Sequence, residues 1–176
     1  IMKYDAKEEP TKINVTNSTL VSAPKTVERL EKISKERNEQ RKLEEDDDED
    51  EYDLEKIKIF DEVNEDPSIE NLETAIEEAT IFLTTGILGF GGGSPMDVAK
   101  LTALLLGSND KIDEIWGVNN VVGPRLPLAL IPTTSGTGSE VTPISIITLS
   151  NLEKKGVSSN VIIPDLAILD SNLTVG

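Results

Sequence analysis

The chain has 176 residues and a formal net charge of −16 at pH 7, from 33 acidic and 17 basic side chains. This balance argues against nucleic acid or an anionic membrane as a partner, because both bind clustered lysine and arginine. The sequence contains no cysteine and no histidine, which excludes disulfides, thiolate metal sites and the commonest general base.

Residues 1–56 contain no glycine and are rich in both acids and bases. Such a segment buries too little apolar surface to offset its ordering entropy, so we predict a disordered or helical acidic tail. Val27, Leu30 and Ile33 recur at helical spacing and predict a marginal helix near residues 26–43. The acidic block 44–53 is interpreted as a solvated linker or as an interaction segment for a basic partner.

From Ile57 onwards the pattern changes to alternating strands and helices. Residues 57–60 predict a strand, and Ser68 predicts the N-cap of a helix with one apolar face. Further strands are expected at residues 87–90 and at the continuously apolar residues 126–131. Strands alternating with helices predict an α/β fold, with a parallel sheet and flanking helices.

The last segment of the chain predicts an antiparallel hairpin added to the sheet. Residues 144–149 are apolar, Lys154-Lys155-Gly156 is a polar turn, and residues 161–163 and 166–169 are apolar again.

Residues 91–97 (GGGSPMD), here called the glycine loop, connect the strand at 87–90 to a helix-patterned segment. Glycines bring backbone N–H groups close to a ligand, and the helix directs its positive dipole end at the same place. Ser94 is predicted as the N-cap, Pro95 as the first helical residue and Asp97 as the partner in a capping box. On the loop alone, a phosphate site and a turn that only packs the helix are equal alternatives. The amides expected nearest a phosphate are those of Gly92, Gly93 and Ser94.

Residues 132–142 (PTTSGTGSEVT), here called the hydroxyl loop, follow the carboxyl end of the strand at 126–131. Ligands of open parallel sheets bind at that end. The loop offers hydroxyl groups that donate or accept, and glycines that admit a ligand to the backbone. Because both loops are predicted at the same end of the sheet, together they favour a ligand site over two ordinary turns.

Three blocks resemble the iron-dependent (group III) alcohol dehydrogenase family: residues 91–100 (GGGSPMDVAK), the hydroxyl loop, and residues 164–170 (PDLAILD). Their order and spacing also match, and residues 60–71 resemble the strand and helix that precede the glycine loop in that family. The resemblance covers residues 57–176 of a much longer family pattern, so it implies a truncated enzyme. It implies that residues 57–176 form a partial dinucleotide-binding domain, with an incomplete Rossmann-like parallel sheet.

The resemblance implies binding of NAD or NADP. The pyrophosphate would lie on the glycine loop, the nicotinamide ribose near Lys155 and Leu173, and the adenosine near Asp66. Asp97 and Lys100, three apart on one helix face, fit a structural ion pair as well as a cofactor role. The implied cofactor-binding residues are Asp66, Gly92, Gly93, Ser94, Thr133, Thr134, Thr137, Lys155 and Leu173.

Two parts of the family pattern are not found in this sequence. The family has an additional strand before the one at residues 57–60, with an acid at its carboxyl end that contacts the adenine ribose; here the charged tail takes that place. The family's divalent metal, iron or alternatively zinc, is held by an aspartate and histidines of a second domain. With no histidine in the sequence, no metal ligand and no catalytic residue are assigned.

The predicted function is that of an NAD(P)-dependent, metal-dependent alcohol dehydrogenase, present as a truncated cofactor-binding part. One alternative is a catalytically inactive fragment with an acidic interaction tail. Another is an enzyme like glycerol dehydrogenase or dehydroquinate synthase, although residues 133–140 fit the alcohol dehydrogenase pattern better.

The predicted partners are the nicotinamide cofactor and a small alcohol or aldehyde, with a homo-oligomer left open. No apolar run is long enough to span a membrane, and the first residues lack the apolar segment of a signal peptide. A cytoplasmic location is predicted, or the mitochondrial matrix in a eukaryote.

Overall fold

The computed structural model describes residues 18–22 and 56–175, so the predicted helix near 26–43 and the acidic block 44–53 lie outside the described residues. The helices are α1 (Ile69–Ile81), α2 (Gly93–Gly107) and the short α3 (Ser171–Thr174), with a 3-10 turn at Asn160–Ile162. The strands are β1 (Ser18–Ser22), β2 (Ile57–Phe60), β3 (Gly86–Gly91), β4 (Gly117–Val118), β5 (Leu128–Pro132), β6 (Ile144–Thr148), β7 (Lys154–Ser158) and β8 (Leu166–Ala167).

Five parallel strands form the main sheet, in the order β2-β1-β3-β5-β8. The predicted α/β class with a parallel sheet and flanking helices is confirmed. Helix α2 packs across β1, β3 and β5 and contributes fully buried Val98, Leu101 and Leu104 to the core. At the carboxyl end of β3, Gly91 lies opposite Pro132 of β5, and the Thr133 N–H donates to the Gly91 carbonyl at 2.8 Å. The glycine loop and the hydroxyl loop therefore leave the sheet side by side.

Strand β1 lies within the segment that was predicted to be a charged tail. It pairs in parallel with β2 on one side and β3 on the other, and Thr19 and Val21 are fully buried. The prediction that the sheet begins at Ile57 is therefore wrong, and so is the expected lack of a strand beside β2. Only Thr19 and Val21 of β1 are strongly strand-forming types, and two such residues had little effect on a composition averaged over 56 residues.

An antiparallel hairpin is present, formed by β6 and β7. It differs from the prediction in three ways. The apolar residues 161–163 and 166–169, predicted as its second arm, instead include the 3-10 turn and the parallel strand β8. Lys154, Lys155 and Gly156, predicted as the turn, begin strand β7, and residues 149–153 make the connection. The hairpin also forms a separate three-stranded sheet with β4, while β8 is the strand added to the edge of the parallel sheet, next to β5.

The Arg125 side chain attaches the β8 segment to β5. Its guanidinium makes two hydrogen bonds with the Asp165 carboxylate, at 2.7 and 3.0 Å, and donates to three backbone carbonyl groups. Asp165 also accepts the Leu128 N–H at 2.8 Å. Burial alone would raise the pKa of Asp165, but the bonds from Arg125 and Leu128 outweigh burial and hold that pKa below its ordinary value.

Replacing Asp165 by asparagine is expected to lower the free energy of unfolding by about 1 kcal/mol at neutral pH, since the pair is charged but partly exposed. A carboxylate with a depressed folded pKa stabilises the protein above its unfolded pKa, and this contribution is lost as the pH falls through the folded pKa. The stability difference between wild type and Asp165→Asn, measured by urea denaturation, should therefore be constant from about pH 5 to 8 and shrink below about pH 4. Asp113→Asn, at an exposed carboxylate, is the control. It should change neither the free energy of unfolding nor its dependence on pH. A difference that persists undiminished at about pH 3 would contradict this account.

Candidate functional site

Helix α2 begins within the glycine loop. Gly92 is the N-cap, in an extended backbone conformation, and the Met96 N–H donates to its carbonyl at 3.4 Å. The predicted capping by Ser94, with Pro95 first in the helix and Asp97 in a capping box, is wrong, because the helix starts at Gly93 and no side chain caps it. The physical reason is that Gly92 already supplies the extended backbone that an N-cap needs. The N–H groups of the first helical turn have no acceptor within the helix, so they are available to an anion.

The two loops touch each other through their glycines and threonines. A Cβ atom added to Gly92 would lie 3.3 Å from Thr134 Oγ1, and one added to Gly93 would lie 3.3 Å from Thr137 Cγ2. Any larger side chain at either glycine would have to displace a threonine or extend into the space in front of the helix. The structure thus explains why these two positions are glycines. They permit the close approach of the hydroxyl loop and leave the backbone amides of the helix start uncovered.

A cavity of about 390 Å³ opens in front of the α2 N-terminus. Its walls are the start of α2, the hydroxyl loop, the β6–β7 hairpin and the loop before α1. The lining residues are Asp66, Pro67, Gly93, Ser94, Asp97, Thr137, Ser139, Thr142, Ile144, Ile146, Thr148 and Lys154.

The structure brings most of the predicted site residues together. Four of them line the cavity: Asp66, Gly93, Ser94 and Thr137. Three more lie in the same two loops: Gly92, Thr133 and Thr134. The remaining two, Lys155 and Leu173, are not part of the cavity wall; Leu173 lies in α3, where its N–H donates to the Asp170 carbonyl at 3.1 Å.

Lys154, rather than the predicted Lys155, is the lysine in the cavity wall. Strand β7 pairs with β6 so that Lys154 lies opposite Thr148 and Lys155 opposite Ile147. Thr148 lines the cavity, whereas Ile147 is fully buried in the core, so Lys155 lies on the strand face that points away from the cavity. The Lys154 ammonium is 2.6 Å from the Asp66 carboxylate. Asp66, predicted to lie at the adenosine end of the cofactor, thus lies beside Lys154.

Lys100 lies behind the cavity and is fully buried. Its ammonium donates to Ser139 Oγ at 2.9 Å, to the Thr142 carbonyl at 3.0 Å and to the Ile144 carbonyl at 2.8 Å. Burial lowers the pKa of Lys100 to about 8, against the opposing attraction of the carboxylates of Asp97 and Glu140.

Asp97 joins the same network from one turn earlier on α2. Its carboxylate accepts from Ser139 Oγ at 2.7 Å and from the Ile146 N–H at 3.0 Å, and lies 3.8 Å from the Lys100 ammonium. Burial raises the pKa of Asp97, while the bonds from Ser139 and Ile146 act in the opposite direction. The sequence left open whether Asp97 and Lys100 form a structural ion pair or contact the cofactor. The contacts of Lys100 support the structural role. Asp97 both takes part in the ion pair and lines the cavity.

The described residues offer groups suited to a phosphorylated, hydroxyl-bearing ligand. The amides at the start of α2 can bind an anion, the hydroxyl loop can donate or accept, and Lys154 adds a cation. Within residues 18–22 and 56–175, no three His, Cys, Asp or Glu side chains form a group that could hold a metal ion. In the same residues, none of the helices is long and apolar enough to cross a bilayer.

The sequence of the chain is similar to a known protein family and to several curated proteins. A family model described as iron-containing alcohol dehydrogenase matches residues 10–171. The sulfoacetaldehyde reductase of Bilophila wadsworthia is 44% identical over 120 residues, which are 68% of this chain and 31% of that protein. Long-chain-alcohol dehydrogenase 1 of Geobacillus thermodenitrificans is 37% identical over 122 residues, with the same two shares. The chain thus spans about a third of the length of these curated relatives.

Solved structures share the fold. An iron-containing alcohol dehydrogenase of Thermotoga maritima superposes with a TM-score of 0.71 at 32% identity, over 90% of this chain and 41% of that one. The sulfoacetaldehyde reductase of Bifidobacterium kashiwanohense, solved in complex with NAD+, gives a TM-score of 0.68 at 26% identity, over 91% of this chain and 40% of that one.

Proposed function

The chain belongs to the iron-containing alcohol dehydrogenase family, and from this premise we propose that its cavity binds NAD(H), as the cofactor-binding part of an oxidoreductase that interconverts an alcohol and an aldehyde. One observation supports this most strongly: the N-terminus of α2, which begins at two glycines and has no side-chain cap, opens into a cavity of about 390 Å³. A helix start of this kind binds the pyrophosphate of a dinucleotide without any charged side chain.

The proposed contacts follow from the cavity walls. The pyrophosphate lies on the amides of Gly92, Gly93 and Ser94, and Thr137, which lies against Gly93, lines the same cavity. NAD(H) is preferred to NADP(H) in this proposal because the B. kashiwanohense relative was solved with NAD+. The rest of the cofactor extends past the hairpin, where Ile144 and Ile146 offer apolar surface.

Asp66 and Lys154 are proposed to bind a ribose of the dinucleotide. A carboxylate accepts hydrogen bonds from hydroxyl groups and an ammonium donates them, so a side-by-side pair suits a vicinal diol. Both side chains are largely exposed, at 71% for Asp66 and 55% for Lys154, so the pair itself adds little stability. Its position on the cavity wall is better explained by a ligand than by the fold.

The described residues do not fit the iron that the family description implies. They contain no suitable group of ligands, and the 176-residue sequence has neither histidine nor cysteine. The role proposed for these residues is therefore to bind and orient the nicotinamide cofactor. The substrate is proposed to be an alcohol or aldehyde, since one curated relative is named for sulfoacetaldehyde and the other for long-chain alcohols.

Lys154→Ala is expected to raise the Kd for NADH about tenfold, because the substitution removes one charged group of the protein that hydrogen-bonds to the ligand. Lys155→Ala is a matched control one residue further along, on the other face of β7, and should leave the Kd within about twofold. Both variants should unfold within about 0.5 kcal/mol of wild type, since the Asp66–Lys154 pair is exposed. Titration with NADH, followed by nicotinamide fluorescence, measures the Kd. A larger loss for Lys155→Ala than for Lys154→Ala would contradict the assignment.

The proposed function itself is tested by titrating the purified 176-residue chain with NADH. A saturable fluorescence change is expected, and ADP-ribose should abolish it by competition because it has the pyrophosphate but no nicotinamide. Absence of a saturable change up to about millimolar NADH, a concentration at which even weak binding of about 4 kcal/mol is detected, would overturn the proposal.

A further inference from the structure

The buried ammonium of Lys100 holds together the elements that form the cavity. Lys100 belongs to α2, Ser139 and Thr142 to the hydroxyl loop, and Ile144 to the start of β6. Its three bonds, of 2.8 to 3.0 Å, reach all of these elements from a single atom. Lys100 thus links α2 to the opposite parts of the cavity wall, next to the bonds that Asp97 accepts from Ser139 and Ile146.

The acceptors of these bonds belong to residues that line the cavity, whereas Lys100 does not. Ser139, Thr142 and Ile144 are all in the cavity wall, and so is Asp97, which accepts from Ser139 Oγ at 2.7 Å. Lys100 has no exposed surface, so it cannot touch a ligand directly. Any influence it has on a ligand must act through the residues it holds.

Stability alone does not explain a charge at this place. Burying an ammonium costs free energy that even good hydrogen bonds only partly offset, and an apolar side chain of similar length would fill the same volume. A buried charge with several directional bonds does define geometry, because the bonds fix the positions of all its acceptors at once.

We propose that Lys100 is a positioning residue, whose buried ammonium fixes the hydroxyl loop and the start of β6 at the distance from α2 that the bound dinucleotide requires. The inference rests on the proposed binding of NAD(H) in this cavity. It assigns to Lys100 a share of the cofactor affinity without any contact with the cofactor.

The charge state of Lys100 gives a signature that a role in folding alone would not produce. The charged groups that face its ammonium are the Asp97 carboxylate on α2 and the Glu140 carboxylate in the hydroxyl loop, while β6 presents a carbonyl group. With its pKa lowered to about 8 by burial, Lys100 loses its proton as the pH rises through that value. The sequence has no histidine and no cysteine whose titration could produce the same pH dependence. The ammonium then becomes an amine with fewer hydrogens to donate, and the held loop loosens.

The test compares NADH affinity from about pH 7 to 9.5 in wild type, Lys100→Met and Arg125→Met. Methionine keeps most of the lysine stem and removes the charge. Arg125 is the matched control, since it is also a largely buried cation, exposed to 12%, that donates to backbone carbonyl groups, but it lies outside the cavity wall. Urea denaturation of each variant shows how much stability each substitution removes.

We expect the Kd of wild type to rise about fivefold between pH 7 and 9.5, and that of Lys100→Met to be about tenfold higher than wild type at pH 7 and independent of pH. Arg125→Met should keep the wild-type Kd within about twofold and the wild-type pH dependence, although it is less stable. An unchanged affinity in Lys100→Met, or an equal loss in Arg125→Met, overturns the inference. If Lys100→Met does not fold, the wild-type profile decides, and a Kd that is constant over this pH range overturns it. A wild-type chain that binds no NADH at any pH refutes the proposed function instead.

Discussion

Replacing Gly107 by alanine is expected to lower the free energy of unfolding by about 3 kcal/mol, because the added Cβ atom would make the shortest contact of any at the glycines that the structure describes. A Cβ atom there would lie 2.4 Å from the Arg125 carbonyl carbon and 2.4 Å from the Leu126 nitrogen. Both are backbone atoms, so no side chain can rotate to make room. The chain is also held at this point, because the Leu126 N–H donates to the Ala103 carbonyl at 2.9 Å. The end of α2 and the chain that enters β5 would have to separate.

Urea denaturation of Gly107→Ala measures this effect, and Gly156→Ala is the matched control. At Gly156 the added Cβ would meet the nearest atom, the Ser145 carbonyl oxygen, at 3.7 Å, which is ordinary contact. The control should therefore unfold within about 0.5 kcal/mol of wild type. A loss below about 1 kcal/mol for Gly107→Ala would show that the close packing of α2 on this segment is wrong.

Replacing Gly93 by valine is expected to raise the Kd for NADH at least thirtyfold, equivalent to about 2 kcal/mol, while leaving the fold intact. The branched side chain would project towards Thr137 and cover the first amide of α2. Thr137 is exposed and can move aside, and valine is no worse than glycine in a helix, so stability should change by less than about 1 kcal/mol. The pyrophosphate, in contrast, would lose its place on the helix N-terminus.

The same NADH titration measures the effect in Gly93→Val and in Gly93→Ala. The alanine variant adds only the Cβ atom, 3.3 Å from Thr137, and should lie between wild type and valine. Gly156→Ala again serves as the control, with an unchanged Kd. A Gly93→Val chain that binds NADH within about threefold of wild type would place the cofactor elsewhere.

The site was predictable from the sequence where its determinants are local. Strand, glycine loop and helix follow one another directly, and the hydroxyl loop directly follows a buried strand, so both loops could be placed at one end of a parallel sheet. The start of α2 was predicted less well. Ser94 has the side chain of an N-cap, but Gly92 takes that position through its backbone alone.

Strand β1 shows where local reasoning fails. Its partners β2 and β3 begin 39 and 68 residues after β1 begins, and pairing with both is what fixes it in the sheet. The composition of the surrounding charged segment does not indicate either pairing. A short strand between two others is stabilised by tertiary contacts, which a sequence average does not contain.

Which of Lys154 and Lys155 faces the cavity depends on strand register. Adjacent strand residues point to opposite faces, and the pairing of β7 with β6, which the sequence does not show, turns Lys154 towards the cavity. The network of Lys100 was hidden for a similar reason: its hydrogen-bond partners lie 39 to 44 residues later in the chain, and only the packing of α2 on the hydroxyl loop and β6 brings them together.

The binding of a dinucleotide at the N-terminus of α2 is tested most directly by the backbone amide resonances of the 15N-labelled chain during titration with NAD+. We predict saturating shifts that are largest at Gly92, Gly93, Ser94 and Thr137, and that are lost in Gly93→Val. Saturation with the largest shifts far from these residues, or no shift at these amides up to about millimolar NAD+, would contradict the proposed site.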